Sequence, residues 1–354
     1  LTPELEKIRS WPASEVGPPD PAPPGVALEP PCPNALIHGD NLLALKALLQ
    51  GRDQGLIRNA DKSKGVRLVY IDPPFASGAR YSSGLGRHAY GDRIRGAEFI
   101  EFMRTRLLLL RELLTEKGSI YLHLDWRMSH RMRVVMDEVF GEKNFLNEII
   151  WHYGGRGAKA VARRFARNHD TILLYRKKEH LFKRVTRERR LPIGTRGFSR
   201  DAEGRWFKTA PRGDYTDKSI ERLEKEGRIY RTRTGRIRIK YFVREEDGYL
   251  FEEKLVGDVW DDIPDAMHLP ADERTNYPTQ KPEGLLERII RASSNEGDVV
   301  LDAFAGSGTT LVAAQKLGRK WIGIDNSPLA IETIEKRLGG CAGARYSLYG
   351  VRTG

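Results

Sequence analysis

The run Val-Arg-Leu-Val-Tyr-Ile-Asp at 66–72 constrains the fold more than any other segment of the chain. It is short, mostly apolar and β-branched, and bounded by Gly65 on one side and a Pro-Pro pair on the other. A strand with one wet face alternates in polarity. A run without alternation reads as a strand buried on both faces, and such strands belong to parallel sheets covered by helices. Six further segments bring the expected strands to seven: ALIHGD (35–40), SIYLHLD (119–125), NEIIWHY (147–153), TILLYRK (171–177), DVVLDAF (298–304) and KWIGID (320–325). Between them, apolar residues fall at helical spacing in 41–50, 99–114, 128–140, 282–294, 308–318 and 327–340. Asp40 or Asn41 would cap the first helix, Pro282 opens the fourth, and Ser327 would cap the last. The alternation predicts an α/β fold: a Rossmann-like, doubly wound, mostly parallel seven-stranded sheet, with five strands before an interruption and two after it.

The interruption carries the charge. The chain has 60 Lys/Arg against 48 Asp/Glu, a net charge of +12. From Arg176 to Leu255 there are 24 Lys/Arg and 14 Asp/Glu, a surplus of 10. Trp206, Phe207, Tyr215, Tyr230, Tyr241 and Phe242 are interleaved with them. Basic residues mixed with aromatics suit phosphate contacts together with base or sugar packing, so the expected partner is a nucleic acid. RIYRTRTGRIRIKYF (228–242) alternates across Thr234-Gly235 and predicts a β-hairpin. It places Arg231, Arg233, Arg236, Arg238 and Lys240 as candidate DNA-contacting residues. A second set lies in the Gly/Arg-rich loop 154–164, with Arg156, Lys159, Arg163 and Arg164 on a flap. Nine of the 19 prolines fall in 11–34, which reads as an extended arm. The resulting division is an arm (1–34), a first sheet part (35–177), a basic insertion (178–274), a second sheet part (275–340) and a tail (341–354).

Several classes are excluded. No apolar run of about 18 residues exists, so no membrane partner is expected. The opening LTPELEKIRSWPAS has no apolar stretch of the kind a secretory leader needs. Cys32 and Cys341 are the only cysteines, which leaves no disulfide framework or Cys-based zinc site and points to a reducing cytoplasm. Cys32 lies in the proline-rich arm rather than at a strand end, so it reads as incidental. His123, His152 and His169 lack local ligand spacing, so no metal is expected and all three read as core or pocket residues.

Two motifs carry chemistry. Asp302-Ala-Phe-Ala-Gly-Ser-Gly-Thr-Thr joins a buried strand to a helix, where glycines let the backbone approach a ligand. Leu311 stands where a dinucleotide fingerprint needs its third glycine, and Gly308-Thr309-Thr310 lacks the lysine of an ATP loop. Asp325 ends the next strand, 23 residues beyond Asp302, where an acid can accept hydrogen bonds from ribose hydroxyls. As an alternative it caps the following helix. A phosphate-poor glycine loop between two acids suits a nucleoside with a zwitterionic tail, such as S-adenosyl-L-methionine. The second motif, Asp72-Pro73-Pro74-Phe75, ends the strand that opened the argument. Asp72 and the Pro73 carbonyl can each accept one hydrogen of an amino group, the prolines lock the turn, and Phe75 offers a stacking face.

Asp-Pro-Pro-Phe after a buried strand, with Asp-x-Phe-x-Gly-x-Gly-Thr-Thr far downstream, resembles the amino-methylating DNA methyltransferases. The motif order resembles their β class of bacterial site-specific adenine-N6 enzymes, including the Mod-like ones. The likeness covers about 35–177 and 275–340. It implies the S-adenosylmethionine-dependent methyltransferase fold in permuted motif order. Asp72, Pro73, Pro74 and Phe75 would be catalytic. Asp302, Phe304, Ala305, Gly306 and Gly308 would line the cofactor site, with Thr309 and Thr310 at the methionine end. Asp325 would hold the ribose, Asp40 would sit near the cofactor adenine, and Lys281 of Thr279-Gln280-Lys281-Pro282 would approach the methionine carboxylate. Residues 178–274 would be the target-recognition domain for double-stranded DNA at the bacterial nucleoid. A second copy of the chain and a cognate restriction endonuclease are the further partners implied. The reaction would be direct in-line attack by a flipped adenine amine. Cytosine-N4 methylation, an RNA substrate and an inactive specificity subunit are the alternatives.

Overall fold

The computed structural model describes residues 3–11, 34–74, 80–82, 88–91, 96–154, 163 and 165–352. Their contacts form two units, one from 1–183 and 257–354 and the other from 184–256. Phe75, Arg156, Lys159, Arg164, Cys32 and the proline-rich stretch 12–33 lie outside the described residues.

Beside a two-stranded hairpin of Arg80–Ser82 and His88–Gly91, the first unit is built on one large sheet. Its strands are β1 (Glu4–Trp11), β2 (Ala35–His38), β3 (Val66–Ile71), β4 (Leu114–Leu124), β5 (Phe145–His152), β6 (His169–Arg176), β7 (Val259–Trp260), β8 (Val299–Asp302), β9 (Lys320–Asp325) and β10 (Tyr346–Arg352). They lie in the order β1-β10-β2-β9-β8-β3-β4-β6-β5-β7. The stretch from β10 to β4 is parallel throughout. β6 runs antiparallel to both of its neighbours, and β1 antiparallel to β10. Six helices complete the unit: α1 (Asn41–Asp53), α2 (Gly96–Leu113), α3 (Ser129–Phe140), α4 (Glu283–Ser293), α5 (Thr309–Lys316) and α6 (Pro328–Gly339).

All seven expected strands and all six expected helices are present. Every residue of β3 is buried, Arg67 included, as its unbroken apolar pattern requires. Arg67 is tolerated there because it reaches Asp61, Thr115 and Asp298, so the buried charge is paired.

The sheet is wider than seven strands because β1, β7 and β10 join it, and this corrects three boundaries. The arm assigned to 1–34 begins with a strand: Glu4 to Trp11 pair with Arg352 to Tyr346, and Arg9 meets Glu335 at 2.5 Å. The tail assigned to 341–354 contains β10, which pairs with β2. Both strands are held by partners far away in the chain, which local periodicity cannot register. The insertion assigned to 178–274 is shorter at both ends. Lys183 N–H donates to Ala292 O at 2.8 Å, β7 extends β5, and Trp151 Nε1 donates to Ile263 O at 2.9 Å. These bonds tie 178–183 and 257–274 to the first unit.

Gly323 sits in the middle of β9, where a Cβ would overlap the Leu311 side chain of α5. The absent side chain lets α5 pack down on the strand. Gly323→Ala is therefore expected to cost about 1–3 kcal/mol through overpacking, read as a lower urea midpoint.

The second unit has two small sheets. One holds Phe198–Arg200, Trp206–Pro211, Ile237–Phe242 and Ile229–Arg231, and the other Arg244–Glu246, Tyr249–Leu255 and Thr186–Pro192. The expected hairpin is present: Arg231 pairs with Ile237, and Gly235 takes a φ of 77° at the turn. A helix not foreseen from sequence, Asp217–Lys225, packs Ile220 and Leu223 on Ile239. The chain enters and leaves the unit side by side, with Thr186 paired to Leu255 and Val256 N–H donating to Val185 O at 2.9 Å.

Candidate active site

Five adjacent parallel strands each deliver an aspartate to the same edge of the sheet. In spatial order β2, β9, β8, β3 and β4 end at or just before Asp40, Asp325, Asp302, Asp72 and Asp125. The carboxyl edge of an open α/β sheet is where ligands bind. A row of acids there favours a cationic ligand over a polyphosphate.

Asp72 follows β3 and is locked between Ile71 and Pro73. Its Oδ2 accepts a hydrogen bond from Lys281 Nζ. Its Oδ1 is buried and has no hydrogen-bond partner among the described residues. A buried carboxylate oxygen left unpaired costs about 1–3 kcal/mol, so this atom is open to a further donor.

The glycine loop is braced from below. Gly306 N–H donates to Asp325 Oδ2 at 2.8 Å, and Ser327 N–H to Asp325 Oδ1 at 2.8 Å. Ser327 holds the N-cap position of α6, so Asp325 braces the turn before the helix rather than capping it, and each oxygen keeps a lone pair for a further donor. Gly308 has a φ of 75°, and a Cβ there would lie 2.7 Å from Ile334 Cγ1. Arg337, from α6, donates to Ser307 O and Thr309 Oγ1, both at 2.9 Å, and is neutralised by Glu283 at 2.9 Å.

Asp302 is buried at the end of β8. It accepts from Thr310 Oγ1 at 2.5 Å and from Phe304 N–H at 3.0 Å. Burial pushes its carboxyl up to about 7; the two hydrogen bonds oppose this, and the charges of Asp72 and Asp325 add to it. A folded-state value above the unfolded one means the group favours folding fully below about pH 4. That contribution is lost as pH rises toward 7, because the unfolded chain ionises first. Asp302→Asn is expected to gain stability relative to the wild-type chain, by roughly 4 kcal/mol at most, between about pH 4 and pH 8. Urea midpoints of the two proteins across that range check this.

A cleft open to solvent lies over these residues. Asp72, Pro74, Lys281, Asp302, Phe304, Ala305, Gly306, Thr309, Thr310 and Asp325 line it, so the structure brings most of the sequence-derived site together. Other assignments fare differently. Pro73 and Gly308 are not among the lining residues. Asp40 does not line the cleft: its Oδ1 caps α1 through Leu42 and Leu43 N–H, and its Oδ2 lies 3.5 Å from Arg106. Lys281 is found on Asp72. Thr309 and Thr310 spend their hydroxyls on Lys281 O and Asp302.

Sequence reasoning missed two parts of the wall. Tyr277 and Thr279 line the cleft from the loop before α4, and Asn276 and Thr279 on that loop both have positive φ, 59° and 63°. A β-branched residue in that region is strained, which marks functional loops. Behind Asp72, Tyr70 OH bonds His123 Nδ1 at 2.8 Å, His123 Nε2 bonds Asp170 at 3.2 Å, and Tyr153 OH donates to Asp170 at 3.4 Å. Burial raises the Asp170 carboxyl, but the His123 bond and charge, with Lys281, bring it below the usual range. His123 is fully buried in this chain. His152 bonds Asn168 at 2.9 Å.

In the second unit the five basic candidates of the hairpin divide. Arg231 is paired with Glu224 at 2.7 Å, Arg238 is tied to Thr209 at 2.8 Å, and Lys240 lies 4.9 Å from the Phe207 ring centroid. Arg233 and Arg236 are exposed, and no carboxylate among the described residues pairs with them. Arg163, in the first unit, is likewise exposed.

A cleft with this negative edge and this glycine loop, on a doubly wound sheet, belongs to an enzyme that uses a nucleoside cofactor for group transfer. Residues 66–336 match the N6/N4-type DNA methylase family, and the chain belongs to that family. It is 35% identical over 333 residues to the type II methyltransferase M.EcaI of Enterobacter cloacae, covering 86% of this chain and 69% of that one. The DNA adenine methyltransferase YhdJ of Escherichia coli is 28% identical over 304 residues, covering 86% and 82%. A Haemophilus influenzae protein described as the probable Mod subunit of the type III restriction-modification enzyme HindVI is 24% identical over 403 residues. That match covers 88% of this chain and 51% of the subunit.

Proposed function

We propose that this DNA methyltransferase is specific for the N6 amine of adenine in duplex DNA, with S-adenosyl-L-methionine as methyl donor. The observation that carries the reading is Asp72: one oxygen held by Lys281, the other buried and unpartnered in the cleft. The adenine selectivity draws support from the relative named an adenine methyltransferase.

The residues fit the donor. Asp325 has acceptor capacity left for ribose hydroxyls. Asp302, buried beside two other acids, gains from a nearby cation, which the methionine ammonium and the sulfonium provide. Gly306 keeps the loop free of a side chain where it lines the cleft, and Gly308 lets Ile334 of α6 pack against the loop. When bound, S-adenosylmethionine supplies a methyl group on a sulfonium, ready for capture by an amine. The chain's own residues prepare that amine. The adenine lone pair is delocalised into the ring, and two acceptors, the Asp72 carboxylate and the Pro73 carbonyl, pull the amine toward tetrahedral geometry. Both are fixed before the base arrives, so the gain is one of positioning and preorganised charge. The base leaves the duplex at a cost of a few kcal/mol, offset by its contacts in the cleft; Phe75 would stack on it.

The unit 184–256 would read the DNA, since it holds 20 Lys/Arg against 13 Asp/Glu. A restriction partner accords with the relative named a Mod subunit. Among the described residues no helix is long and apolar enough to cross a membrane. The test is to incubate the purified chain with tritium-labelled cofactor and unmethylated genomic DNA, then identify the labelled nucleoside. N6-methyladenine is the expected product. Label in cytosine alone overturns the adenine assignment, and no label in any DNA overturns the enzyme.

A further inference from the structure

At the flank of the row of acids the surface changes character. Trp126 stands just past β4, two residues beyond Leu124, and its side chain is 44% exposed although the ring is large and apolar. The Arg167 guanidinium lies over this ring, 3.5 Å from its centroid, and Arg127 approaches at 5.1 Å. Arg127 is committed to Asp125 through both its backbone N–H and its side chain. Arg167 is exposed, and no carboxylate among the described residues pairs with it. Phe165 is 98% exposed, and Arg131 and Arg163 are exposed as well.

The sheet fixes where this cluster sits. β3 and β4 are parallel neighbours with Ile71 opposite Leu122, so Trp126 emerges on the strand next to Asp72 and from the same edge. Leu124 pairs with Thr171, which brings the start of β6, and Arg167 just before it, to that edge too.

We infer that Arg167, held over the Trp126 ring, is a clamp for a DNA backbone phosphate beside the base that enters the cleft. The inference rests on the DNA methyltransferase reading and names a contact within it. A guanidinium stacked on an indole keeps its five N–H donors in the ring plane, pointing outward, and is already ordered before a phosphate arrives. Its partner must be anionic, because one face is taken by the ring and no carboxylate among the described residues holds its edge. The acids along the strand ends repel phosphates and accept donors from a base. A cation at the flank of that row therefore separates the two halves of one nucleotide, holding the backbone outside while the base goes in.

The experiment uses the full chain, a fluorescein-labelled mixed-sequence duplex and a salt titration. Arg167→Gln is expected to weaken duplex binding about tenfold and to lower the slope of log affinity against log salt by about 1. Trp126→Ala is expected to lose about half of that effect on a logarithmic scale, with Trp126→Phe restoring most of it. Cofactor affinity and the circular-dichroism spectrum are expected to stay at wild-type values, which separates loss of a contact from loss of fold. A wild-type chain that methylates DNA, beside an Arg167→Gln variant with unchanged affinity and salt slope, overturns this inference alone. A wild-type chain that neither binds nor methylates DNA overturns the parent reading and this one with it.

Discussion

Asp72→Asn is expected to lower the rate of methyl transfer to DNA by roughly a thousand-fold or more, the scale seen when a preorganised electrostatic contact is removed. The substitution keeps the size of the side chain and removes its charge. Lys281 then loses its ion-pair partner, and the amine meets an amide oxygen in place of a carboxylate. On the proposed reading Asp72 acts on the base amine and not on the cofactor, so cofactor affinity measured by calorimetry is expected to remain near the wild-type value. Single-turnover rates with preformed complexes are the measurement of choice, since they exclude product release. A variant that transfers methyl at a near wild-type rate would refute the role given to Asp72.

Gly308→Val is expected to act on the other half of the reaction, lowering cofactor affinity by about a hundred-fold or more. Two costs add. The residue takes a φ of 75°, which a β-branched side chain adopts only with strain of order 1–3 kcal/mol. The new Cβ would also lie 2.7 Å from Ile334, forcing α6 away from the loop that it braces through Arg337. Overpacking of that kind adds about 1–3 kcal/mol, and roughly 2.7 kcal/mol is already a hundred-fold in affinity. Gly257→Ala is the control, because nothing lies within 4 Å of the Cβ it would add. Equal cofactor affinity for Gly308→Val and the wild-type chain would show that the loop does not hold the cofactor.

The sequence carried the buried half of this molecule well. Strands such as Val66–Ile71 and Val299–Asp302 are buried on every residue, so their composition reports their place in the sheet without reference to partners. Edge strands do not work that way. In Glu4–Trp11 only Leu5 is buried, and what holds the strand is a ladder to residues 346–352. The same distinction divides the site. Asp72, Asp302 and Asp325 are visible because each ends a recognisable strand. Asp40 ends one too, but Leu42, Leu43 and Arg106 claim it, and that competition exists only once α1 and α2 are packed. Lys281 on Asp72 and Arg337 under the glycine loop join residues 209 and 30 positions apart, with no periodicity to betray them.

The way the chain enters and leaves the 184–256 unit has a consequence for the history of such enzymes. Thr186 and Leu255 are paired neighbours on adjacent strands, so the segment begins and ends at one place. A segment whose ends are neighbours can be traded as a cassette between relatives, with one cut at each end and no change to the strands that hold the aspartates. If the unit reads the DNA as proposed, a lineage built this way can acquire a new target sequence in a single recombination event while its chemistry stays fixed.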